Sequence, residues 1–398
     1  MHADARGEIF DKVTGPSSLP VRPVVPPMAR AVSILLLLFV FLVGIKGMGE
    51  GFELLGSDLL DAFFRTTENP FIGLVIGLLA TTVMQSSSVT TSMVVALVAA
   101  PENPLPLANA IPMIMGANIG TTVTSTIVSL GHMGRVDEFR RAFPVAICHD
   151  VFNYMAVLVL LPLELMTGYL QSAAVAIGSL VQGAGGVTYQ SPIRTAINGG
   201  YTPLERLTGA LFDAQAGQAV FLLILSGLLI FTALYLLVRA MRATAHGRVE
   251  AMVTTVLGSS VMLSMLIGVV VTVMVQSSSI TTSLLVPLAA AGVLRLDQAF
   301  PVTLGANIGT TVTAFLAALA VSGPNTGAGL EIALVHLLFN LSGILLVYPV
   351  ARIRHIPLRL AETFTGIALR SRRMIIVWVV ALFYGVPTVV LVVSRWLN

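Results

Sequence analysis

Apolar residues along this chain come in long uninterrupted runs, and the run lengths carry the first information. A helix that crosses a bilayer needs about 20 predominantly apolar residues. Residues 219–238 and 374–394 fit that length, and an apolar run starting near Ala31 predicts a first membrane helix over 30–48. Three other uncharged stretches, 69–101, 298–330 and above all 251–294, do not fit a simple span. The last has 44 residues without a charge. As one helix it would run about 66 Å at 1.5 Å per residue, roughly twice the hydrocarbon core. Such a run must fold back or break, and each of the three contains a polar cluster where a break would fall.

Composition turns these runs into a class. Of 398 residues, 56% are hydrophobic and 10% charged, with a mean hydropathy of +0.91. Soluble domains carry about a quarter charged residues, so a water-soluble globule is excluded and an all-α polytopic membrane protein is expected, with the lipid bilayer as its surroundings. The single cysteine, Cys148, excludes an intrachain disulfide framework and a cysteine-based metal site. No basic face with interleaved aromatics is present, so no nucleic acid partner is expected. No nucleophile–base set, metal-ligand cluster, HExxH or GxSxG pattern occurs, so an enzyme is not expected.

The charges give a topology. Arginines cluster at 135–141, at 239–248 and at 352–373, and the positive-inside rule places all three segments in the cytoplasm together with the N-terminal tail. Residues 1–29 are polar and proline-rich and read as a disordered cytoplasmic tail rather than a signal peptide. Glu50, Glu53, Asp58 and Asp61 follow the first span in the pattern of an amphipathic surface helix. Segment 142–163 then runs outward, 219–238 returns, and the Gly-rich, polar residues 183–207 form an external loop. The span 374–394 exits again and leaves the C-terminus outside the cell membrane.

An internal repeat is the strongest signal. Residues 81–92 read TTVMQSSSVTTS and residues 272–283 read TVMVQSSSITTS, identical at eight of twelve positions. Residues 116–124 and 305–313 both read GANIGTTVT. His149-x-x-Phe152-Asn153 recurs as His336-x-x-Phe339-Asn340, with offsets of 191, 189 and 187 residues for the three elements. The helix of His149 starts just after a basic segment and that of His336 ends just before one, so the two copies run antiparallel. Inverted repeats with interrupted polar segments near the midplane are a transporter signature.

Irregular backbone at membrane depth is tolerated only in a protein interior or along a cavity. There, Ser, Thr, Asn and Gln offer neutral oxygens that suit a hard cation such as Na+, while hydroxyls and helix N-termini suit an oxyanion. The motifs contain no Lys or Arg, so an anion held there needs cations, and coupling to Na+ is the physical expectation. Gly116, Gly120, Gly305 and Gly309 allow close backbone approach and local unwinding. Asp150, a carboxylate within a span, is expected to face a cavity or a partner.

QSSSVTTS, IPMIMGANIGTTVT at 111–124, FRRAFPVAICHDVFN at 139–153, QSSSITTS, LGANIGTTVTAFLAAL at 304–319 and ALVHLLFNLSGILLVYP at 333–349 together resemble the type II sodium–phosphate cotransporter family. The likeness covers both repeats in order, from about 30 to 395. It implies a sodium-coupled symporter that imports inorganic phosphate by alternating access, with one transport pathway per protomer and the two QSSS segments at the tips of re-entrant hairpins. It also implies phosphate binding by Gln85, Ser86, Ser87, Ser88, Gln276, Ser277, Ser278 and Ser279. The candidate sodium ligands are Asn118, Thr122, Asp150, Asn153, Asn307, Thr310 and Thr313. The His149-Asp150 pair matches the family's electrogenic members, which implies net charge movement. The short, cysteine-free external loop and the lack of the animal members' extra final span imply a compact, bacterial member. Pro144 and Ala306 depart from the animal pattern, the latter losing one hydroxyl.

The expected architecture is two inverted repeats, each with a re-entrant hairpin bearing QSSS and a discontinuous helix bearing GANIGTTVT. The expected boundaries are a tail at 1–29, a first repeat at 30–165, an inter-repeat segment with external loop at 166–216, a connecting span and second repeat at 217–350, a cytoplasmic basic loop at 351–373, and a final span with a short external C-terminus at 374–398. The competing readings are a symporter of another oxyanion and an ion channel.

Overall fold

A computed structural model describes residues 27–54, 67–183, 192–256, 260–321 and 323–397. Most of the polar tail, Asp58 and Asp61, and residues 184–191 of the expected external loop lie outside the described residues. The described residues form helices and no strands. Among the described residues seven helical stretches are long and apolar enough to cross a membrane. Large apolar side chains stand exposed along them, among them Leu35, Leu158, Ile224 and Val377. In a chain this poor in charge, that is a lipid-facing surface. The protein is a polytopic, all-α membrane protein.

The first helix, α1 (Pro27–Leu54), is longer than the expected 30–48, and Glu50 still sits on it, accepting from Lys46 Nζ at 2.7 Å. It packs along α9 (Gln215–Val256), where Gly44, Gly47 and Gly51 meet Ile230, Ser226 and Leu223. The long uncharged runs do break. Helices α2 (Pro70–Met84) and α3 (Ser87–Val98) meet at Gln85–Ser86, and α10 (Val261–Val275) and α11 (Ser278–Ala290) meet at Gln276–Ser277. None of these four has the 18 residues required of a candidate span.

Each pair lies against a helix carrying GANIGTTVT. Helix α2 meets α4 (Leu107–Thr121), and α10 meets α12 (Leu296–Ala320). The contact is backbone on backbone. A Cβ on Gly77 would collide with the Met113 carbonyl and one on Gly116 with that of Leu74. At the corresponding positions, Gly268 faces the Val302 carbonyl and Gly305 that of Met265. Small residues permit this approach where lipid gives helices no hydrophobic reason to associate.

Three expectations need correction. First, GANIGTTVT breaks its helix in one copy only. The chain is interrupted at Thr122, between α4 and α5 (Val123–Leu130), whereas α12 runs unbroken through the same nine residues. The flanks differ. After the first copy comes Ser125-Thr126, and the Thr122, Ser125 and Ser129 hydroxyls bond backbone carbonyls three residues back, competing with the helix ladder. After the second copy comes Ala314-Phe315-Leu316-Ala317-Ala318, dominated by strong helix formers.

Second, residues 192–211, which begin inside the expected external loop of 183–207, form helix α8. Ile197, Tyr201 and Thr208 make a buried stripe, and Gly200 gives room to Phe39 and Val43 of α1. Helix α7 (Tyr169–Gly183) precedes it. Third, the expected basic loop at 351–373 is mainly helix α14 (Ala351–Arg370). Its Leu358, Ala361, Thr365 and Ala368 are buried while Arg352, Arg359 and Arg370 face out, an amphipathic pattern at helical spacing. It covers the start of α6 (Val136–Thr167). Helix α13 (Thr326–Val347) lies beside α12, and the final helix, 372–397, carries a π turn at Ala381–Gly385 just before Pro387, which has no N–H to give.

Candidate functional site

The two Gln–Ser turns are built alike. Gln85 and Gln276 close α2 and α10 in the left-handed region, at φ 52° and 54°. That conformation is uncommon for a residue other than glycine and marks functional turns. Each glutamine holds itself there through its own amide, Gln85 Nε2 donating to the Thr82 carbonyl at 2.6 Å and Gln276 Nε2 to that of Val273 at 2.7 Å. Each amide oxygen then accepts from the last threonine of the adjacent GANIGTTVT, Thr124 at 3.0 Å and Thr313 at 3.3 Å. Ser86 and Ser277 cap α3 and α11. Behind the turns, Thr81–Thr90 and Thr272–Thr281 bonds of 2.9 Å tie each helix pair together.

The two turns come together although they lie far apart in sequence. Ser88 donates to Thr313 Oγ1 at 3.3 Å, and Ser279 donates to the Thr121 carbonyl at 3.4 Å. Between them is a cavity of about 470 Å3 reached by Gln85, Ser86, Gln276, Ser277 and Ser279. Thr124 also lines it, and Phe231, Leu234 and Tyr235 of α9 form its far wall. The N-termini of α3 and α11 point here, each bringing backbone N–H groups that have no partner within the helix. Ser87, Ser88 and Ser278 are buried behind the cavity rather than on its wall.

The candidate sodium residues divide into two groups. Asn307 is the centre of the first. Its Oδ1 meets His149 Nε2 at 2.7 Å, its Nδ2 donates to Asn153 Oδ1 at 2.8 Å, and Asn153 donates in turn to the Asn118 carbonyl at 2.8 Å. Asp150 belongs to the second, fully buried, with Oδ2 accepting from Thr126 at 3.1 Å and Oδ1 without a partner. Thr122 and Trp378 neighbour this carboxylate, and the Trp378 indole N–H is likewise buried and unpaired. Thr122 and Thr310 use their hydroxyls on their own helices, bonding the Ile119 and Ala306 carbonyls. Among the described residues no three His, Cys, Asp or Glu side chains cluster as a metal site would require. The Asp150 carboxylate with the Thr122 and Thr126 hydroxyls is a donor set that fits a weakly held alkali cation.

Several site residues were not singled out by the sequence. Thr124 lay inside the repeated motif, so the motif itself was its signal. Thr126, Trp378 and the α9 wall had no signal, because only the fold brings them to the site. The repeat is also bonded unequally. His336, the counterpart of His149, is 1% exposed with neither ring nitrogen paired, and Asn340 Oδ1 is unpaired as well.

A family model described as Na+/Pi-cotransporter matches residues 40–188 and 207–371. Curated relatives include "Sodium-dependent phosphate transport protein 2B" of Bos taurus, 34% identical over 91% of this chain and 64% of that protein. "Sodium-dependent phosphate transport protein 2A" of Ovis aries is 34% identical over 89% of this chain and 66% of its own length, and the 2A protein of Rattus norvegicus is 32% identical over 90% and 66%. The chain therefore spans slightly less than two thirds of the length of these relatives. No solved structure matches.

Proposed function

The chain belongs to the Na+/Pi-cotransporter family, and from that premise we propose that it is a sodium-coupled symporter importing inorganic phosphate across a cell membrane. One observation carries the proposal: two equivalent Gln–Ser turns from opposite halves of the sequence meet at a single cavity. Phosphate sits there between the N-termini of α3 and α11, receiving hydrogen bonds from Ser86, Ser277, Ser279 and backbone N–H groups. Ser87, Ser88 and Ser278 support those turns from behind. With no Lys or Arg among the described residues of the cavity wall, the negative charge is balanced by co-transported Na+. Asp150 with Thr122 holds one such ion at its unpaired oxygen, and Asn118, Asn153, Asn307, Thr310 and Thr313 supply further oxygens. The likeness of the His149-Asp150 pair to that of the family's electrogenic members supports net charge movement in each cycle.

In this reading the α2–α3 and α10–α11 pairs are re-entrant hairpins of two inverted repeats, the first entering from outside and the second from the cytoplasm. The shortness of the four helices and the basic segments at 135–141 and 239–248 support this, and the basic segments also favour an N-terminus inside and a C-terminus outside. The proposed units are 30–165 and 217–350, joined by 166–216. Alternating access would move the paired Gln–Ser helices against the remaining spans. The test is radiolabelled phosphate uptake into proteoliposomes under an inward Na+ gradient against an equal K+ gradient. Na+-dependent, saturable uptake that unlabelled sulfate fails to compete away is the expected result. Uptake competed by sulfate would point to another oxyanion, and unsaturable flux to a channel.

A further inference from the structure

A second, larger cavity of about 900 Å3 lies away from the Gln–Ser turns, between the start of α6, the turn joining α11 to α12, and α14. Arg140, Arg141, Arg295 and Arg359 line it, with Asp297 and Glu362 the only carboxylates on its wall among the described residues. These arginines are not equally engaged. Arg295 is paired with Asp297 at 2.8 Å, and Arg141 is fixed by donating through Nε and Nη2 to the Ala290 carbonyl at 3.0 and 2.6 Å. Arg140 and Arg359 make no ion pair with any described residue. Like charges gathered around one space repel each other, and an anion between them removes that cost.

The rest of the wall is mostly apolar, formed by Pro144, Leu294, Leu296, Leu358 and Leu369 with Gly292 and Gly366, and His355 and Thr365 add two polar side chains. The volume is at the upper end of the range for organic ligands, about 300–1,000 Å3, and exceeds what a bare inorganic anion fills. Helix α14 also keeps Ile356, Leu360 and Ile367 about 40% exposed outside its buried face, as expected of a helix lying in a membrane interface. The helix that lines the cavity therefore also carries a face suited to lipid.

We propose that this cavity binds the phosphate-bearing headgroup of an anionic phospholipid. The Arg140 and Arg359 guanidinium groups take the phosphate, through the paired N–H geometry that suits phosphate oxygens. Arg141, held by the Ala290 carbonyl, sets the floor, and the first acyl carbons follow the leucine wall. Basic pockets between helices near a membrane surface are suited to such headgroups. The site does not depend on the transport reading, since it can be occupied whether or not the central cavity carries phosphate.

The test is native mass spectrometry of the full chain released from nanodiscs of phosphatidylcholine with and without phosphatidylglycerol, comparing the wild type with three variants. R140Q/R359Q removes the two unpaired guanidinium groups. R352Q/R370Q makes the same charge change on α14 outside the cavity. Gly366→Phe fills the cavity without touching charge, from a position where an added Cβ meets nothing within 4 Å. The expected result is one phosphatidylglycerol retained per chain, reduced at least about tenfold in R140Q/R359Q, the loss of charge-assisted contacts. Gly366→Phe should show a similar loss and R352Q/R370Q should not. Equal loss in R352Q/R370Q would overturn the proposal in favour of diffuse surface attraction, and so would no retention by the wild type. A parallel arm adds inorganic phosphate to the neutral discs. A phosphate adduct lost in R140Q/R359Q, with no retained lipid, would overturn the lipid assignment and make free phosphate the ligand.

Discussion

Asn307 has more at stake than any other polar residue near the centre of the protein. It alone joins His149 to Asn153, and through Asn153 it reaches the backbone of α4. Asn307→Ala leaves two buried polar groups without partners, each costing roughly 1–3 kcal/mol. A clear fall in melting temperature in detergent is expected, larger than for His336→Ala, whose ring has no partner to lose. Asp150 acts differently. Its Oδ1 is buried and unpaired, so Asp150→Asn removes a charge without breaking a network. The expected outcome is a folded protein whose half-saturating Na+ concentration for uptake rises about tenfold or more, equivalent to about 1.4 kcal/mol of lost cation binding. An unchanged Na+ dependence would remove Asp150 from the cation path.

At the scale of helices, the glycine seam decides how the Gln–Ser pairs are held. Gly77→Ala and Gly268→Ala both drive a methyl group into a neighbouring carbonyl. Overpacking of this kind costs about 1–3 kcal/mol, and the two variants should lower the melting temperature alike, since each occupies the same place in its half. Much at this scale was legible in the chain. Uncharged runs too long for one span had to break, and QSSS marked where, because a glutamine–serine junction can close one helix and cap the next. GANIGTTVT alone did not reveal which copy stays helical, since the nine residues are identical and the outcome rests on Ser125-Thr126 in one flank and the alanine-rich run in the other. The basic segment at 351–373 read as a loop because its arginines signalled topology, while the Leu358–Ala361–Thr365–Ala368 stripe carried the helix. The glycines of 192–211 masked a stripe of the same kind.

At the scale of the whole molecule, each half completes the other. Ser88 reaches Thr313 and Ser279 reaches Thr121. Asn325 donates to the Ala100 carbonyl at 2.6 Å beyond the end of α3, as Arg141 donates to that of Ala290 at the end of α11. In the proposed inverted arrangement these two ends face opposite sides of the membrane. Cys148 is the only cysteine and is buried, so single cysteines can be introduced against a quiet background. Glu102→Cys is expected to react with a membrane-impermeant thiol reagent added outside intact cells, and Val293→Cys only after the membrane is opened. Labelling of both from one side would remove the inversion. That the two motifs meet was implied by the repeat, but the individual bonds between halves were not readable from the chain, because matched segments do not show which atoms touch.

The central claim is that one phosphate is shared by two matched turns and is bound together with sodium. Equilibrium binding of radiolabelled phosphate to the purified protein tests it most directly, in NaCl and in KCl, for the wild type, Gln85→Ala and Gln276→Ala. The account predicts one phosphate per chain in NaCl and little in KCl. It also predicts an affinity loss of about tenfold or more in each variant, since each removes the side chain that holds one turn in its left-handed conformation. Two phosphates per chain, equal binding in KCl, or a loss confined to one of the two glutamines would contradict it.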